Sequence, residues 1–296
     1  AFHRLDDIMN ESMETDTSIL AHAPSVDGRI AFEKVSFSYE PDLPPVLRDF
    51  SLTIERGEIV GVMGSLGSGK STVAKLLQGL YKPTTGRILI DETDIGHIAP
   101  QALRRQLGIV PQEVQLFAGT VRENIAMGTP DADAERVVAS ARFVGAHDFI
   151  QRLPKGYETV LRERGAGLST GQRQLLCIAR ALMRNPRILI FDEATSSLDA
   201  ATEEIFLRNL RRVARGRTVI MISHRTAPMA IADRVIVVGD GQVVMQGTPA
   251  EILPQLQGPK REQLPGPEQA PSPEHTVGPA QPPGATPDRA ASGDAA

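Results

Sequence analysis

The stretch Gly64-Ser65-Leu66-Gly67-Ser68-Gly69-Lys70-Ser71-Thr72 constrains this chain more than any other. An apolar run, Ile59-Val60-Gly61-Val62-Met63, precedes it and suits a buried parallel strand. Val73, Leu76, Leu77 and Leu80 follow at helix spacing, with Gly79 and Pro83 near the end. Glycines spaced in this way let backbone N–H groups approach an anion that side chains would hold off. A helix that begins there adds the positive end of its dipole. The pattern predicts strand, phosphate-binding loop and helix. Lys70 is expected to reach the β- and γ-phosphates of a nucleotide, and the Ser71 hydroxyl to ligate Mg²⁺. A chance glycine-rich turn is the alternative, and a second motif weighs against it.

That motif is Arg187-Ile188-Leu189-Ile190-Phe191-Asp192-Glu193, an apolar strand ending in two acids. Acids at a strand's C-terminal end sit on the rim of an open α/β sheet, where ligands bind. Asp192 is expected to hold Mg²⁺, directly or through water, and Glu193 to polarise an attacking water as general base.

Leu168-Ser169-Thr170-Gly171-Gln172 resembles the signature motif of the ATP-binding cassette (ABC) family, usually LSGGQ, and lies some twenty residues before Asp192. Other family elements occur in order. Tyr39 is similar to the aromatic that stacks on adenine, Gln112 to the Q-loop glutamine, Ser197-Leu198-Asp199 to the D-loop and His224 to the switch histidine. The resemblance spans roughly residues 29 to 257. It implies an α/β fold: a P-loop NTPase (RecA-like) core with an antiparallel β subdomain and an inserted helical subdomain. It implies an ATPase with ATP and Mg²⁺ as ligands, Glu193 and His224 as catalytic residues, and Ser71, Gln112 and Asp192 around the metal. The ATP-binding set it implies is Tyr39, Gly64, Ser65, Gly67, Ser68, Gly69, Lys70, Ser71, Thr72, Gln112, Ser169, Gly171 and Gln172. Ser169 and Gly171 would act on the ATP of a second cassette packed head to tail, so that two ATPs join two cassettes and hydrolysis releases them.

Within the family, Arg162-Glu163-Arg164-Gly165 resembles the x-loop of exporters. The stretches 145–150, 156–160 and 165–169 resemble haemolysin-type exporters of bacterial type I secretion. This implies export of a protein or peptide from the cytoplasmic face of the inner membrane. The expected partners are a transmembrane domain upstream in the same chain, a second cassette (homodimer over heterodimer), a periplasmic adaptor and an outer-membrane channel. Two rival readings are a soluble, non-transport ABC ATPase and a catalytically weak half of a heterodimer. Thr170, Arg162 and Leu175 depart from the family pattern, where Gly, Gly and Arg are usual. Thr170 puts a β-branched side chain where backbone should approach phosphate.

The remaining sequence sets boundaries. Residues 1–28 are expected to connect to an upstream membrane domain, the ABC ATP-binding domain to fill 29–257 with its helical subdomain near 98–180, and the Pro-rich tail 258–296 to be disordered. No run of eighteen apolar residues occurs. The net charge of −4 argues against a dominant nucleic-acid surface, and Arg208, Arg211, Arg212, Arg215 and Arg217 read as a solvated helix face leading to the Thr218 strand. Cys177, alone of its kind, reads as a buried core residue.

Overall fold

A computed structural model describes residues 26–129, 131–196 and 198–257. The expected connector up to residue 25, Ser197 of the D-loop and the tail from 258 lie outside the described residues. Alternating and continuous apolar runs produce the strands. β1 (Ile30–Phe37) and β2 (Leu47–Ile54) pair antiparallel, and β3 (Ile59–Gly64) leads into the glycine-rich loop and helix α1 (Lys70–Leu77). β4 (Thr85–Ile90) and β5 (Thr93–Asp94) follow, then α2 (Pro100–Gln106) and β6 (Leu107–Val110). A helical segment comes next: β7 (Gly119–Thr120), α3 (Val121–Ala126), α4 (Ala134–Val144), α5 (His147–Gln151), β8 (Val160–Leu161) and α6 (Thr170–Leu182). β9 (Ile188–Asp192), α7 (Ala200–Val213), β10 (Thr218–Ile222), α8 (Thr226–Met229), β11 (Arg234–Gly239), β12 (Gln242–Gly247) and α9 (Pro249–Gln257) complete the order.

Two main sheets result. The antiparallel sheet runs β2-β1-β4-β5, and the central sheet runs β12-β11-β3-β10-β9-β6. β11, β3, β10, β9 and β6 are parallel neighbours, and only β12 joins antiparallel. A parallel sheet must bury both faces, and the sequence supplies both. Ile188 and Ile190 of β9, with Ile220 and Ile222 of β10, pack into the core shared with α1 and the antiparallel sheet. Leu189 and Phe191, with Val219 and Met221, point the other way, into the core shared with α4, α6 and α7. The segment from about 98 to 180 is mainly helical, but β6 within it belongs to the central sheet.

Register places the functional ends. Ile222 stands opposite both Val62 and Asp192, and Val110 opposite Phe191. The strands run the same way, so the chain leaves β3, β6, β9 and β10 on one rim. Gly64, Gln112, Glu193 and His224 all lie within two residues of those strand ends.

Candidate nucleotide site

The loop at the end of β3 is shaped by its glycines. Gly64 has φ +153°, and a Cβ there would stand 2.2 Å from the Val238 carbonyl oxygen. Gly69 has φ +101° and forms the N-cap of α1 without a side-chain hydrogen bond. No acid occupies the first turn of α1, and a lysine stands there instead. The first N–H groups of this helix are therefore open to an anion. The buried Lys70 folds back across the loop, and its Nζ donates to the carbonyl oxygens of Gly64 (3.1 Å) and Ser65 (2.6 Å). Burial lowers the affinity of this amine for its proton, while Glu193 and Asp192 oppose that effect. Lys70 thus stands next to the loop carbonyls rather than extended, and a phosphate would have to draw it forward.

The carboxylates meet this loop across 121 residues. Ser71 Oγ donates to Asp192 Oδ1 at 3.2 Å. Burial raises the Asp192 carboxyl above its ordinary range, with Ser71 pulling it back and Glu193 pushing further. Glu193 has φ +49°, a conformation that costs a non-glycine residue energy and gathers at functional sites. The Glu193 N–H donates to the Ile222 carbonyl (2.8 Å), which holds this turn against β10. Its Oε2 accepts from Gln112 Nε2 at 3.2 Å and lies 3.4 Å from His224 Nδ1. Three residues far apart in sequence thus share one carboxylate oxygen. Hard oxygens from Ser71 and Asp192 beside a lysine are a donor set that suits a Mg²⁺–phosphate group.

A cleft of ≈ 620 Å³ joins these groups, lined by Tyr39, Val46, Gly64, Leu66, Gly67, Gly69, Lys70, Ser71, Thr72, Gln112, Glu193 and His224. A larger open groove of ≈ 1040 Å³ runs along the antiparallel sheet, away from this chemistry. Tyr39 stands at the cleft's rim, 40% exposed, with its hydroxyl 3.1 Å from Thr72 Oγ1. Ser65 and Ser68 sit in the loop, Ser68 buried with its Oγ 3.4 Å from Lys70 Nζ.

The signature residues stand apart from this cleft. Ser169, Gly171 and Gln172 do not line it. Ser169 caps α6 and forms a capping box: its Oγ accepts from the Gln172 N–H (3.2 Å), and Gln172 Oε1 accepts from the Ser169 N–H (2.9 Å). Gln172, expected at the nucleotide, is engaged in this cap. Thr170 is exposed, and Arg173 Nη2 donates to its Oγ1 at 3.0 Å, turning the hydroxyl along its own helix.

Two networks carry no sequence signature. Arg180 of α6 donates to the carbonyls of Asn124 (2.8 Å) and Gln115 (3.0 Å) and to Asn124 Oδ1 (3.1 Å). This ties the signature helix to the segment following Gln112. Arg225 donates to the Thr195 carbonyl (2.9 Å) and pairs with the buried Glu203 (2.6 Å), so it links the residue after His224 to the turn after Glu193. Only the i+1 position of Arg225 relative to His224 could have signalled it.

Comparison with known proteins decides the family. A family model described as ABC transporter matches residues 47–196, half of the chain. The chain belongs to the ABC transporter family. The cassette is similar to the leukotoxin translocation ATP-binding protein LktB of Mannheimia glucosida, 47% identical over 255 residues, 86% of this chain and 36% of that protein. The leukotoxin export ATP-binding protein LtxB of Aggregatibacter actinomycetemcomitans is 46% identical, and the toxin RTX-I translocation ATP-binding protein of Actinobacillus pleuropneumoniae 47% identical, over the same shares. The cassette thus spans about a third of the length of the curated relatives it matches. Among solved structures it resembles a bacterial Atm1-family ABC exporter with ATP bound, with TM-score 0.80 and 38% identity, covering 88% of this chain and 47% of that one. No helix among the described residues is long and apolar enough to cross a membrane.

Proposed function

We propose that this chain is the ATP-hydrolysing cassette of an exporter that moves a protein or peptide by type I secretion. One observation carries the reading: Lys70, Ser71–Asp192 and the Gln112–Glu193–His224 cluster converge on one sheet rim beside an uncapped helix N-terminus. In this reading Tyr39 takes the adenine. Gly64, Ser65, Gly67, Ser68, Gly69, Lys70, Ser71 and Thr72 take the phosphates. Ser71, Asp192 and Gln112 would hold Mg²⁺, which would neutralise phosphate charge when bound. Glu193 accepts a proton from water, and His224 fixes the position of its carboxylate.

Ser169 and Gly171 are read as acting on a second copy, because α6 begins outside the cleft of its own chain. The export reading draws on the toxin-translocation relatives. On that basis the cassette works at the cytoplasmic face of the inner membrane with a transmembrane domain of the same polypeptide. A periplasmic adaptor and an outer-membrane channel complete the assembly. The domain assignment is residues 1–28 connector, 29–257 cassette and 258–296 tail.

Mg-ATPase rate against protein concentration tests this reading. We expect a rate per molecule that rises with concentration and vanishes in Glu193→Gln. Turnover that is independent of concentration, or that survives in Glu193→Gln, would contradict it.

A further inference from the structure

Three aromatic rings meet beside the cleft. Phe37, at the end of β1, is 4% exposed and fixed in the core. Tyr39 follows two residues later, and its ring centroid is 4.9 Å from that of Phe37, the planes 80° apart. Tyr81, in the loop after α1, places its ring 5.2 Å from Tyr39 at 88° and 5.5 Å from Phe37 at 56°. Lys75 Nζ lies 5.4 Å from the Tyr39 ring centroid and donates to its hydroxyl at 3.4 Å.

Perpendicular rings at these distances attract through their quadrupoles. A tyrosine 40% exposed on a loop would otherwise sample several χ1 and χ2 settings. Each ring that confines it reduces the ordering cost that a bound base must meet. Phe37 supplies one confining surface and Tyr81 the other. Tyr81 is itself 42% exposed, more than filling a core position requires.

We propose that Tyr81 is a positioning residue for the nucleotide base: it sets the plane of Tyr39 without contributing to hydrolysis. The proposal rests on reading Tyr39 as the adenine platform. It assigns Tyr81 an effect on affinity and none on the chemical step, because its ring contacts run to Tyr39 and Phe37. The ring alone confines Tyr39, so phenylalanine should serve as well.

The test is a double-mutant cycle on the full 296-residue chain, with MgATP binding measured by calorimetry and inorganic tripolyphosphate as a base-free probe. Tyr81→Ala should weaken MgATP binding about three- to tenfold, raise KM in step and leave kcat in place. Tyr81→Phe should restore wild-type affinity, Tyr81→Leu should not, and tripolyphosphate binding should be the same in all variants. In a Tyr39→Ala background Tyr81→Ala should have no further effect. If Tyr39→Ala leaves MgATP affinity unchanged, the adenine-platform reading itself fails. If Tyr39→Ala weakens binding and Tyr81→Ala does not, the platform stands and the positioning role is overturned. An equal loss from Tyr81→Ala with and without Tyr39, or a loss with tripolyphosphate, also overturns it.

Discussion

Two helices open on the glycine-rich loop and on the signature motif, and they treat their first turns in opposite ways. α1 starts at a left-handed glycine, has no side-chain cap and carries a buried lysine in its first turn. α6 starts at Ser169, which closes a reciprocal box with Gln172. The first leaves its N–H groups for an outside anion, whereas the second satisfies two of its own donors. The difference teaches which half of the proposed site a single chain can present. In the proposed reading the loop, Lys70 and Asp192 would form the phosphate half of the site within one chain. The signature turn is a finished structural element, and in the proposed reading it would give up or share its cap at a second copy's nucleotide.

The largest expected effect falls on the open helix. Lys70→Ala should cut MgATP affinity and turnover about a hundredfold or more, since the charge-assisted contact to phosphate that the proposed reading gives this lysine would be lost. Ser169→Arg should abolish turnover and leave MgATP binding to the single chain within about twofold of wild type. Equal loss of binding in both variants, read by calorimetry, would erase the distinction between the two helices. Removing the buried half of the Arg225–Glu203 ion pair should cost stability instead. Glu203→Ala should destabilise the cassette by about 1 to 2 kcal/mol in urea unfolding, because it leaves the partly exposed Arg225 guanidinium with only the Thr195 carbonyl. A change under about 0.5 kcal/mol would show that Arg225 finds another partner.

Smaller effects sharpen the same contrast at α6. Thr170→Gly should change turnover by less than about threefold, because Arg173 already turns the threonine hydroxyl along the helix. A rise of tenfold would mean that the side chain hinders closure. Cys177, in the middle of α6, is buried, and burial pushes its thiol above the usual range. A raised pKa keeps the thiol protonated at pH values where a free cysteine is partly thiolate. Iodoacetamide at pH 8.5 (~ the free-thiol pKa) should therefore label the folded chain slowly and the urea-unfolded chain rapidly. Fast labelling of the folded chain would show that the signature helix opens locally.

The glycine-rich loop, Asp192-Glu193 and the strands around them were legible because each is a local pattern bounded by an apolar run. β3 and β9 fall where their sequences place them, and their continuous apolar runs suit a parallel sheet buried on both faces. Assembly of the Gln112–Glu193–His224 cluster was not legible from periodicity. It depends on the register that sets Ile222 opposite Asp192 and Val110 opposite Phe191. Arg180 on Asn124, Arg225 on Glu203 and Tyr81 on Tyr39 were missed for the same reason: each joins residues 22 to 56 positions apart and carries no motif. The left-handed Glu193 was hidden as well, since nothing in the residue type predicts it. Lys70 Nζ donates to the Gly64 and Ser65 carbonyls, a local contact that the sequence pattern does not specify.

The central claim is that this chain holds one half of a site that a second copy completes. The most direct measurement is the mass of Glu193→Gln in solution, by light scattering, with and without saturating MgATP. The account predicts a single-chain mass without nucleotide and twice that mass with it, reversed when Lys70→Ala is added. A single-chain mass at saturation, with ATP demonstrably bound, would contradict it.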